Sequence, residues 1–109
     1  MAIPITRKIQ LSRQSKHDVP VIKKDLGADI EAEANKDGTI FIDNSVNENS
    51  DHGKKIIDHE KVHLDQMARG DLDYDDNYVY WKGDKILRSK INEGAEELPW
   101  EKEAYNKTK

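Results

Sequence analysis

The chain has 109 residues, 37% of them charged and 35% hydrophobic, with a net charge of −4. That is room for one small domain with a modest core, and no apolar run approaches the roughly 18–20 residues of a membrane span. Acids and bases are interspersed, with no basic patch and no aromatics interleaved with Lys or Arg, so neither nucleic acid nor membrane is an expected partner.

Cysteine is absent, which removes disulfides and thiolate zinc sites. The stretch Met1–Lys8 lacks the apolar core of a secretory signal, which predicts a cytoplasmic or particle-packaged protein. Polar and apolar residues alternate from Ile3 to Leu11, a pattern that predicts a first strand. Asp18 is placed to cap a short helix through Val19–Leu26, ended by Gly27. Ile30–Ala34 alternates as a strand does; Lys36-Asp37-Gly38 predicts a hairpin turn, with the returning strand over Thr39–Asp43. Asn44–Asn49 reads as a polar loop.

The next segment carries the chemistry. Ser50 and Asp51 are both suitable N-caps, Gly70 suits the position just past a helix end, and no proline intervenes. Ile56, His59, His63 and Met67 form one stripe, and Ile57, Glu60, Leu64 and Ala68 the next. Lys54, Lys55, Lys61 and Asp65 fall mostly on the far side, so the expected helix is amphipathic with its histidines on or beside the buried face. Residues 59–63 read His59-Glu60-Lys61-Val62-His63, an H-E-x-x-H motif. Positions i and i+4 share a helix face, so both imidazoles can meet one metal ion. Glu60 projects beside them, where a general base for a zinc-activated water belongs.

After Gly70, Asp71–Asn77 reads as an acidic solvated loop, lacking the glycine and distal glutamate of a calcium-binding loop. Tyr78–Trp81, a turn at Lys82-Gly83-Asp84 and Lys85–Arg88 predict a second hairpin. Asn92–Glu97 is a further polar loop, and Pro99 within an acidic first turn opens a C-terminal helix. A catalytic zinc keeps three protein ligands and one open position. No histidine follows His63, so a carboxylate from this second helix is the expected third ligand. Glu101 and Glu103 lie about 200° apart on a helix, and only one can face the metal. Spacing leaves the choice open. Asp58 and Asp65 are helix neighbours available to support the ligands.

His59–His63 followed by Pro99-Trp100-Glu101-Lys102-Glu103-Ala104 resembles the Glu-zincin metallopeptidases, whose third ligand is a glutamate in an E-x-x-A setting on a downstream helix. The order of elements is similar to small zincin-like proteins encoded by tailed phages and prophages. The resemblance spans roughly residues 30–105. It implies Glu101 as third ligand, with Tyr105 standing where the family often has aspartate. The expected fold is therefore α+β: a small twisted antiparallel sheet on the H-E-x-x-H helix, with a second hairpin and a closing C-terminal helix. The expected activity is zinc-dependent hydrolysis of peptide bonds, with His59, His63 and Glu101 on Zn2+, Glu60 as base, and a peptide or protein as substrate. The alternative implied by the resemblance is a non-catalytic zincin-fold component of a phage particle or host-interaction complex, partnered by other phage structural proteins and virion-associated.

Overall fold

A computed structural model describes residues 19–27 and 29–108. The predicted Ile3–Leu11 strand and the Asp18 cap lie outside them. Among the described residues the fold is α+β, with two three-stranded sheets and two α-helices.

The first sheet is centred on β3 (Ile40–Asp43), which pairs antiparallel with β2 (Ala32–Ala34) and parallel with β1 (Val21–Lys24). Fully buried Ile40 and Ile42 alternate with half-buried Phe41 and Asp43, the period-two signature of a sheet with one covered face. At the β2–β3 turn Gly38 has φ +88°, open to glycine and costly for other residues. Asp37 Oδ1 accepts from the Thr39 amide and hydroxyl at 3.1 and 2.7 Å, closing the turn.

Strand β1 corrects the helix expected over Val19–Leu26. Val21 and Ile22 are β-branched, and the free edge of β3 offers them a ladder that a short helix could not match. The pairing is extended by the Ile40 amide donating to Pro20 O and the Asn44 amide to Lys24 O.

Helix α1 (Asp51–Ala68) packs across β2 and β3. Of the two candidate caps, Ser50 acts: its hydroxyl accepts from the Gly53 amide at 2.9 Å. At the other end Gly70 takes φ +87°, and the amides of Gly70 and Asp71 donate to Met67 O and Gln66 O, a Schellman closure.

The second sheet is an antiparallel meander of β4 (Leu72–Tyr74), β5 (Tyr78–Trp81) and β6 (Asp84–Leu87). Strand β4 corrects the reading of Asp71–Asn77 as loop. Leu72 and Tyr74 alternate with Asp73, and they pair with Trp81 and Val79. The acids of this region are engaged: Asp73 meets Lys36 at 2.8 Å, and Asp75 takes the Tyr80 hydroxyl at 2.8 Å. Leu72, Val79 and Trp81 form a core with Trp100 of helix α2 (Pro99–Lys107), the two tryptophan rings lying 6.0 Å apart. This core seats α2 against α1. No helix among the described residues is long and apolar enough to cross a membrane.

Candidate metal centre

Helix α2 begins at Pro99, and Trp100, Glu101 and Ala104 form its buried side. Trp100 docks into the core of the second sheet, and the next residue, Glu101, is thereby delivered to α1. Glu101 Oε1 lies 2.8 Å from His59 Nε2 and 3.0 Å from His63 Nε2. Glu60 completes the cluster: a donor atom from each of His59, Glu60 and His63 lies within 4.8 Å of the other two. Residues 59, 60 and 63 are thus brought together with Glu101. Glu103 is directed elsewhere. Its carboxylate takes the Arg69 guanidinium at 2.9 and 2.7 Å, Lys107 at 2.8 Å and the Gln66 amide at 3.1 Å.

The donor set fits a divalent cation. Two imidazole nitrogens converge on one carboxylate oxygen in a nearly buried site, and each contact requires a proton or a cation between its atoms. The His59-Glu60-His63 group can bind a metal ion.

Burial pushes the Glu60 carboxyl upward, partly offset by the neighbouring His63 and His59. Burial also pushes Glu101 upward, but the hydrogen bonds from His59 and His63 overcome it and hold this carboxyl down at about 2. At His63 burial favours the neutral ring, yet the hydrogen bond to Glu101 and its charge outweigh that and raise the pKa. The two acids of the site are therefore driven in opposite directions, Glu101 toward its charged form and Glu60 toward its neutral form.

A groove of about 660 Å³ opens over these residues. Strand β2, Glu31, Tyr74, Arg88 and Tyr105 are among the residues that line it. The Tyr105 ring packs 4.5 Å from the His59 ring. Of the two tyrosines on β5, Tyr80 is tied to Asp75.

Asp58 and Asp65 are not the supports of the ligands. Asp58 is exposed, and Asp65 faces Arg69 at 3.5 Å. The residue behind the histidines is Gln66, fully buried, with Oε1 2.8 Å from His63 Nδ1. Its signal was present: position 66 is i+3 from His63, on the same helix face. Comparison of the chain with family models, with curated proteins and with solved structures finds no match.

Proposed function

We propose that the protein is a zinc-dependent peptidase in which His59, His63 and Glu101 hold the metal and Glu60 serves as general base. The observation that carries the reading is the meeting of Glu101 Oε1 with both histidine Nε2 atoms, beside a second, separate carboxylate, Glu60. Zinc bound by such a set supplies a Lewis acid that polarises a carbonyl and acidifies water.

The rest is done by the chain itself. The groove admits an extended substrate alongside the edge strand β2. Glu60, partly desolvated but open to the groove, takes a proton from water as oxygen bonds to the scissile carbonyl carbon. It then delivers that proton to the departing amine nitrogen as the C–N bond breaks. The same open groove beside Glu60 favours hydrolysis over a purely structural metal, which would sit in a closed four-ligand shell.

The test is cleavage of a mixed fluorogenic peptide library by zinc-loaded protein and its Glu60→Gln variant. The reading expects hydrolysis that Glu60→Gln abolishes while zinc content and melting temperature persist. Loss of zinc from that variant would make Glu60 a ligand. Zinc-loaded protein inert toward every peptide would leave the non-catalytic binding role in its place.

A further inference from the structure

Among the described residues, Gln66 is the only polar one of the largest fully buried side chains. An amide in such a place must satisfy both its ends, and here the partners reveal its polarity. Nε2 donates to Trp100 O at 3.0 Å and to Glu103 Oε1 at 3.1 Å. A carbonyl and a carboxylate only accept, so the nitrogen must face them and Oε1 must face His63 Nδ1. Oε1 cannot donate. The 2.8 Å contact therefore requires the proton on Nδ1, which leaves His63 Nε2 as the atom turned toward Glu101 and the metal position.

From this we infer that Gln66 is a positioning residue of the metal centre. It holds His63 in the Nδ1-protonated tautomer, and its two bonds to Trp100 and Glu103 of α2 keep the amide oxygen turned to the ring. Arg69, one turn of the network further out, steadies the Glu103 end through two bonds. The inference rests on the zinc reading of this site. Outer partners of this kind fix the ring orientation and the tautomer of a metal-binding histidine, and their loss costs about 10–100-fold in affinity.

The experiment is zinc competition against a chromophoric chelator for wild type, Gln66→Met and Gln66→Glu. Methionine keeps the volume and removes every hydrogen bond; glutamate keeps an acceptor for His63 Nδ1 but loses the donor to Trp100 and Glu103. Zinc affinity should fall about 10–100-fold in Gln66→Met, with Gln66→Glu nearer wild type, although both variants melt earlier. Affinity unchanged in Gln66→Met overturns the inference while leaving the zinc reading intact. Equal losses in the two variants also overturn it, since a helix clasp alone would not separate them. Wild type that binds no zinc removes the zinc reading first, and the inference with it. Should Gln66→Met fail to fold, long-range proton–nitrogen NMR of the zinc-loaded wild type decides. His63 protonated on Nδ1 supports the assignment, and protonation on Nε2 overturns it.

Discussion

The Arg69 guanidinium grips the Glu103 carboxylate through two bonds of 2.7 and 2.9 Å, while Glu101, two residues earlier on α2, meets the histidines. Residues two apart on a helix diverge by about 200°. With Glu103 drawn out to Arg69 at the end of α1, Glu101 is turned inward to His59 and His63. The pair of Arg69 and Glu103 is partly exposed, so its own contribution to stability is modest.

Glu101→Gln should weaken zinc binding by more than about 100-fold, beyond the usual cost of an outer partner. Glu103→Gln should weaken it far less, because it touches the site only through Gln66. Isothermal titration of both variants checks the ranking. A reversed order would move the third-ligand role to Glu103.

Gly53→Ala should destabilise the protein, contrary to the usual gain of up to about 1 kcal/mol from replacing a helix glycine by alanine. A Cβ at position 53 would stand 2.0 Å from Asn47 O, with Asn47 C at 2.9 Å. The obstacle is backbone, so the loop before α1 must move, at a net cost of about 1–3 kcal/mol. Urea denaturation measures it; a stabilised variant would contradict the packing of this loop.

What could be read from the sequence depended on how local the determining contact is. The H-E-x-x-H helix, its Ser50 cap and its Gly70 end are local, as are the turns at Gly38 and Gly83, and all stand where spacing and turn chemistry place them. Strand β1 was hidden because Val21–Lys24 has no strand partner nearby; the open edge of β3 supplies one from sixteen or more residues away. Strand β4 was hidden by its aspartates, which mask the inward alternation of Leu72 and Tyr74. At the site, spacing could not choose between Glu101 and Glu103, because the partners of both carboxylates, His59 and His63 for one and Arg69 for the other, lie more than thirty residues away in sequence. Gln66 carried a local signal in its i+3 spacing from His63, while its other partners, Trp100 and Glu103, belong to α2.

Asp43→Asn should reduce the acid sensitivity of the fold. The Ser45 hydroxyl and the amides of Leu26 and Ser45 all donate to this carboxylate, which holds its pKa down at about 2. An acid depressed in the folded state stabilises fully above its unfolded pKa, near 4 for aspartate. That contribution disappears as pH falls from about 4 to about 2. Urea midpoints between pH 5 and pH 2 should therefore drop less steeply in Asp43→Asn than in wild type. Parallel curves would contradict the assignment.

The central claim is that one metal ion is held by His59, His63 and Glu101, and zinc-dependent melting tests it most directly. Zinc at a hundred times its Kd should stabilise the fold by about 2.7 kcal/mol, roughly 10 °C or more for a domain of this size. The account predicts that rise in wild type, its reversal by a chelator, one bound equivalent by elemental analysis, and none of these in His63→Ala. A wild-type melting temperature indifferent to zinc, with no metal retained, would contradict it.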